Sequence, residues 1–334
     1  MTPSHEARAV HDAAISIDLH ADTPKFMSRG YDVRKRHSPP WPISNFGGHV
    51  DLPRMREGGL AAQFFGMWTF PLPQRGCARD VHRQLDALEA AAAEVPDQLK
   101  LATRAEEVRA AHAAGARVGL RGIEGGHALE GKLEELEKFA RRGVRYLGLL
   151  HFSANQLGYP QKGYGRDDSQ GLTSFGCEVV DACSQFGVLV DLAHVNRRGF
   201  FDAVARKPGP LLVSHTGVLG AHVHWRNIDD EQIRAVADSG GVVGIIFAPA
   251  FVGGHLESVV DHLLHVIQVA GEEAVAIGSD WDGFVRPCQG LAHAGELPNL
   301  TEALLRRGLL PEAVHRLLGG NVLRVLESFP PAGA

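Results

Sequence analysis

The sequence predicts an α/β fold in the form of a closed (β/α)8 TIM barrel, and three observations carry that prediction. Short, nearly continuous apolar runs recur along the 334 residues, segments of helical periodicity separate them, and polar residues repeatedly end the apolar runs. Strands covered on both faces read as unbroken apolar stretches, as in a buried parallel sheet. Alternating such strands with helices requires right-handed crossovers, which build either a barrel or an open doubly wound sheet. The open sheet calls for a glycine-rich phosphate turn after its first strand, and residues 17–25 (IDLHADTPK) contain none.

In chain order the strand candidates are 16–22 (SIDLHAD), 61–68 (AAQFFGMW), 118–125 (VGLRGIEG) and 146–152 (YLGLLHF). Four more follow at 188–194 (VLVDLAH), 210–215 (PLLVSH), 242–247 (VVGIIF) and 275–280 (VAIGSD). Helices are expected at 81–95, where Leu85, Leu88 and Ala92 form one stripe, and at 133–142, 178–186, 229–239 and 256–270. Asp229 and Asp230 suit the start of the fourth of these, where a carboxylate caps free amides and complements the helix dipole. Gly115, Gly143, Gly187 and Gly240 close helices before the next strand. Residues 31–48 read as a long loop above the first strand, and 330–334 as a frayed tail. The expectation is one barrel domain over 1–334 with a C-terminal helical extension.

Composition narrows the partners. The chain is 44% hydrophobic and 22% charged, enough apolar material for one large core. Its net charge of −5, with 18 histidines counted neutral, offers no basic stripe for nucleic acid. The first fourteen residues (MTPSHEARAVHDAA) have no apolar signal region, and no run reaches membrane-spanning length. Cys77, Cys177, Cys183 and Cys288 form no CxxC pair and read as reduced thiols. A cytoplasmic protein with no membrane partner is expected.

Barrel active sites lie at the C-terminal ends of the strands, so the residues ending the apolar runs carry the chemistry. These are His20 and Asp22, Glu124, His151, His194, His215 and Asp280. Imidazole and carboxylate are the usual ligands of catalytic zinc and similar divalent ions. His20 and Asp22 are two apart and share one face of a strand. The set is too large for one tetrahedral ion. Two ions sharing a carboxylate would use it better and activate a bridging hydroxide near neutral pH. A lone strand-end histidine is more often a hydrogen-bonded structural residue than a ligand, and an HxD pair is common by chance. The repetition of polar residues at strand ends is what a purely structural reading fails to explain. His112, His127, His222, His224, His255, His262, His265, His293 and His315 fall on helices or loops and are taken as solvated or structural. Asp282 either competes with Asp280 or caps the following turn.

At these residues the sequence resembles the membrane (renal) dipeptidase family, the M19 peptidases of the amidohydrolase superfamily. The resemblance runs in order through IDLHADTP, AAQFFGMW, GIEGG, LLHFSAN, GLTSFG, VLVDLAHVN, PLLVSHTG, RNIDDEQIRAV, IGSDWDG and LLGGNVLRVLE. It implies a barrel of the metal-dependent hydrolase type holding two zinc ions, although N/O ligands also suit other divalent metals. By resemblance His20 and Asp22 bind one ion, His194 and His215 the other, and Glu124 bridges both. His151 contacts the substrate at the scissile carbonyl, Arg226 pairs with its terminal carboxylate, and Asp280 shuttles the proton. The implied activity is hydrolysis of small dipeptides by a metal-bridging hydroxide, in a homodimer.

Alternatives stay open on the residues themselves. Arg226 suits a bidentate grip on a carboxylate and suits equally a helix-entry arginine. Asn155 either lines the pocket or stabilises the loop after the fourth strand. Residues 158–170 (GYPQKGYGRDDSQ) are expected to shape the side-chain pocket. A binuclear amidohydrolase or lactonase acting on a non-dipeptide substrate would use the same water activation. A non-catalytic scaffold is opposed by the clustered ligands.

Overall fold

A computed structural model describes residues 2–37, 47–70, 72 and 74–333. Part of the expected loop at 31–48, residues 38–46, lies outside the described residues. Among the described residues nine strands form a single parallel sheet: β1 (Ser16–Ala21), β2 (Leu60–Trp68), β3 (Leu99–Leu101), β4 (Arg117–Glu124) and β5 (Val144–Gly148), followed by β6 (Leu189–Asp191), β7 (Leu211–Thr216), β8 (Val242–Ile245) and β9 (Val275–Ile277). β1 pairs with both β2 and β9, and β2 pairs with β4 from Ala62↔Val118 to Trp68↔Glu124. The sheet therefore closes as an eight-stranded barrel, with short β3 laid against the start of β4.

All eight expected strands are present. Their C-terminal ends are the main difference: the fourth and last apolar runs stop pairing at Gly148 and Ile277, short of His151 and Asp280. Leu149 and Leu150 are fully buried although they belong to no strand, because the chain turns over the barrel mouth through apolar surroundings. The five expected helices appear at Cys77–Glu94, Leu133–Arg141, Ser174–Phe186, Asp230–Asp238 and Leu256–Ala270. Asp229 caps the fourth in a capping box: its carboxylate accepts from the Gln232 amide at 2.9 Å, and Gln232 accepts from the Asp229 amide at 3.1 Å. Helices at His5–Ala13, Ala105–Ala113 and Arg197–Arg206 were not expected. The chain ends in helices at Pro298–Arg306, Pro311–His315 and Asn321–Ser328.

Two apolar clusters hold these elements. The larger packs outer helices against strand residues such as Phe65, Ile123, Val213 and Ile277. The smaller joins Ile17, Leu19, Phe64, Leu120, Tyr146 and Leu212 to Val322, Leu323 and Leu326 of the last helix. No helix among the described residues is long and apolar enough to cross a membrane.

His11 ties the N-terminal helix to this body. Its ring bridges Thr301 Oγ1 at 2.8 Å and the Gly58 carbonyl at 2.7 Å, so Nε2 carries the proton and Nδ1 accepts. Burial pushes this imidazole down to about 4, against the opposing hydrogen bond to Gly58. The unfolded chain, with an ordinary histidine near 6.5, takes up the proton first as pH falls. Its contribution is therefore whole above pH ~6.5 and drains away toward about 4, a loss of at most about 3 kcal/mol. Urea unfolding at pH 7 and pH 4.5 checks this. Stability should fall less steeply on acidification in His11→Gln than in the parent, and equal slopes would remove His11 from the account.

Candidate metal centre and active site

The strand ends converge on one buried cluster. His20 is the penultimate residue of β1 and Asp22 lies just past the strand, at the start of a short helix; their Nε2 and Oδ1 atoms lie 3.2 Å apart. Glu124, the last residue of β4, sits at the centre. Its Oε1 is 3.0 Å from His194 Nε2, 3.4 Å from His215 Nε2 and 3.7 Å from His20 Nε2, while Oε2 is 3.6 Å from His151 Nε2. Asp280 approaches His20 at 3.9 Å. Donor atoms group as His20–Glu124–His215, Glu124–His151–His194 and His20–Asp22–Asp280.

The local backbone is arranged for this convergence. Gly66 on β2 faces the cluster, and a Cβ there would stand 2.5 Å from the His20 ring and 3.2 Å from Asp22 Oδ1. His194 and Asp280 both adopt positive φ, +66° and +60°, a conformation costing roughly 1–2 kcal/mol in ordinary residues. Each residue lies just beyond its strand, where this turn sets the direction of the side chain.

The electrostatics fit a divalent cation. Asp22, Glu124 and Asp280 share one buried space. Burial opposes charge on His20, yet Glu124, Asp22 and Asp280 together push it up to about 10. The carboxylates thus recruit a positive charge. Burial lowers His194 and His215 well below the ordinary range, helped by Arg226 at the first and His20 at the second, so both offer neutral lone pairs. His20 Nε2, Asp22 Oδ1 and Glu124 Oε2 are buried without a hydrogen-bond partner. Buried polar atoms normally have partners, and these three all belong to the donor cluster, His20 Nε2 lying 3.2 Å from Asp22 Oδ1 and Glu124 Oε2 3.6 Å from His151 Nε2. The donor set of imidazole nitrogens and carboxylate oxygens matches catalytic zinc and related ions.

A cavity of about 250 Å³ opens above the cluster. Asp22, Glu124, His151, His194, His215, Arg226 and Asp280 line its polar floor, and Phe152, Phe251, Phe284 and Val285 form its apolar walls. Arg226 is fully buried and donates to the His215 carbonyl at 2.7 Å. A larger groove of about 500 Å³, beside Lys207, Leu211 and Asp238, contains none of these donor groups.

Comparison with known proteins agrees with this centre. The profile of the membrane dipeptidases (peptidase family M19) matches residues 4–330. The chain belongs to that family. A relative, the dipeptidase tcpJ of Claviceps purpurea (strain 20.1), is 30% identical over 307 residues, covering 88% of this chain and 72% of that protein. A solved metallopeptidase from Rhodobacter sphaeroides, liganded with a phosphinate mimic of the dipeptide L-Ala-D-Ala, is 27% identical. The match covers 95% of this chain and 100% of that one, with a TM-score of 0.83. The probable dipeptidase PvdM of Pseudomonas aeruginosa, at 19% identity, shares the fold with a TM-score of 0.89 over 97% of each chain. As an M19 metallopeptidase the protein is a peptide-bond hydrolase with a metal cofactor.

Of the two roles open to Asn155, its hydrogen bonds favour the loop. Asn155 does not line the cavity. It donates to the Leu149 carbonyl at 2.9 Å and accepts from the Leu157 amide at 2.7 Å, holding the loop after β5. Asp282 is fully buried and accepts from Thr23 Oγ1 and the His49 amide, so it ties loops together. None of residues 158–170 lines the cavity. That segment acts from behind: Gln161 donates to the His194 carbonyl at 2.7 Å and Tyr164 to the Phe152 carbonyl at 3.0 Å. Sequence reasoning passed over Tyr146, whose hydroxyl lies 2.8 Å from His20 Nδ1, and over Asp191 and Ser214 behind His215. A tyrosine inside an apolar run reads as core. The charged residue within VLVDLAH was the available signal for Asp191.

Proposed function

We propose that this M19 enzyme is a zinc dipeptidase holding two ions and hydrolysing small dipeptides. The central position of Glu124, with one carboxylate oxygen within 3.0–3.7 Å of three imidazole nitrogens, is the observation that supports this most. His20, Asp22 and Glu124 would hold one ion, and Glu124, His194 and His215 the other. Bound divalent ions lower the pKa of the attacking water and polarise the scissile carbonyl.

The remaining steps belong to the chain's own side chains. Arg226 orients the substrate by its terminal carboxylate from the cavity wall, a charge-assisted contact in a buried setting. His151, whose Nδ1 has no hydrogen-bond partner, faces the peptide carbonyl and stabilises oxyanion character. Asp280 takes a proton from the attacking water and returns it to the leaving amine. Burial, with Asp22 and Glu124 nearby, pushes its carboxyl well above the ordinary range, which makes it a stronger base than a solvated aspartate. Phe152, Phe251, Phe284 and Val285 keep bulk water from the reacting atoms.

Metal analysis together with a dipeptide panel, with and without chelator, tests the proposal. About two ions per chain and chelator-sensitive hydrolysis restored by zinc are expected. A fully metallated protein that cleaves no dipeptide would overturn it. Arg226→Met should raise KM for dipeptides ~100-fold or more, from about 3 kcal/mol of lost charge-assisted bonding. Turnover of a lactone lacking that carboxylate, better than of any dipeptide, would instead favour the amidohydrolase or lactonase reading.

A further inference from the structure

Two buried aspartate–serine clasps stand behind the metal centre, and they differ in one respect. Across β6 and β7, Asp191 Oδ1 accepts from the Ser214 amide at 2.8 Å and the Ala193 amide at 3.1 Å, and Oδ2 accepts from Ser214 Oγ at 2.7 Å. Between β1 and the segment just past β9, Asp18 accepts from the Ser279 amide at 2.7 Å and from Ser279 Oγ at 2.5 Å. All four residues are buried. Each clasp joins neighbouring segments just below residues of the cluster. Only the first reaches an imidazole: Ser214 Oγ lies 2.9 Å from His215 Nδ1. The Ser279 hydroxyl meets Asp18, the His20 carbonyl and the Trp281 amide, and no ring.

We infer that Asp191 and Ser214 form a positioning relay that fixes the tautomer and angle of His215 for metal binding. The proton count leads there. A carboxylate taking three donors is an acceptor only, so the single Ser214 hydroxyl proton goes to Asp191. The Ser214 oxygen is then an acceptor toward His215, and Nδ1 must carry the ring proton. Nε2 is left with its lone pair, aimed at Glu124 Oε1 and His194 Nε2 at 3.4 and 3.0 Å. Metal-bound histidines commonly donate their second N–H to a carboxylate directly, and that contact sets ring orientation and ligand basicity. Here a serine hydroxyl is interposed and passes on the carboxylate's polarisation. His20 is served separately, by Tyr146, for which Gly122 makes room: a Cβ on Gly122 would stand 2.1 Å from the tyrosine ring.

This inference rests on the two-ion reading above, and its test separates the two. Zinc titration against a chromogenic chelator gives stepwise affinities for the parent, Ser214→Ala, Ser214→Thr and Ser279→Ala, with thermal melting of each metal-free protein alongside. Ser214→Ala should weaken one of the two affinities by about 10–100-fold and leave the other in place. Ser214→Thr, which keeps a hydroxyl, should restore it. Ser279→Ala breaks the matching clasp without touching a ring; it should lower the melting temperature while the affinity that Ser214→Ala weakens stays within about threefold of the parent's. Unchanged affinities in Ser214→Ala, or equal weakening by both alanine variants, would overturn the relay. A parent protein that binds fewer than two ions would instead count against the proposed function, before any variant is compared.

Discussion

Glu124→Gln should abolish hydrolysis, lowering kcat/KM by at least ~1,000-fold, and should reduce bound zinc from two ions to less than one. The expectation follows from position. One oxygen of Glu124 faces the nitrogens of His20, His194 and His215, so this single carboxylate serves both halves of the cluster. An amide of the same shape is neutral, and its NH2 group would donate to the imidazole lone pairs that a metal needs. Burial works against charge on Glu124, and the neighbouring His151 and His20 nevertheless hold it well below the ordinary carboxylate range. The charge is therefore present for metal at neutral pH. The variant should still fold, because no apolar contact is lost and the like charge that adds to burial in raising Asp22 is removed. Metal analysis, circular dichroism and a dipeptide assay on the same preparation decide the matter. A folded Gln variant that keeps two ions and near-parent activity would show that Glu124 is not the shared ligand.

What the sequence could and could not say follows from where each residue stands. The eight barrel strands were legible because burial on both faces leaves an unbroken apolar signal. β3 was not, being three residues long with Lys100 exposed at its middle, so no periodicity could develop. The helix at His5–Ala13 was missed because its buried face is made of Ala7 and the polar His11. At the mouth, apolar character outlasts strand pairing: Leu149 and Leu150 look like strand and lie in a turn. The polar residues ending those runs were still visible, since the signal is a change of chemistry rather than a hydrogen-bond pattern. Their partners were harder to see. Tyr146 and Ser214 acquire meaning only from neighbours far away in the chain, at His20 and Asp191. For Asn155, one residue type served two roles equally well on paper, and the hydrogen bonds to Leu149 and Leu157 assign it to the loop.

Asp280→Asn should separate metal binding from proton transfer, with kcat falling by ~100- to 10,000-fold while two ions remain bound and KM changes little. Asp280 differs from the other carboxylates in its distance from the imidazoles. Its oxygen is 3.9 Å from His20 Nε2, against 3.2 Å for Asp22. It also stands on a tight turn at φ +60°, with Gly283 so close that a Cβ there would lie 2.0 Å from Asp280 Oδ1. Such a turn holds a side chain at the cavity floor without committing it to the histidine cluster. A proton acceptor works only when ionised, so activity through it rises as pH increases past its own pKa and is lost as pH falls below it. Burial raises this carboxyl from the ordinary aspartate range, and nearby divalent ions would pull it back down. The asparagine variant should therefore change the acidic limb of the pH–rate profile as well as lose most of kcat, because the limb that remains is set by the attacking water and the metal-binding histidines alone. Loss of a bound ion in Asp280→Asn would assign the residue to metal binding instead. A normal ion count with an unchanged acidic limb would move the proton-transfer role to another group, and His151, at 3.6 Å from Glu124 Oε2 on the same cavity floor, would be the next to replace.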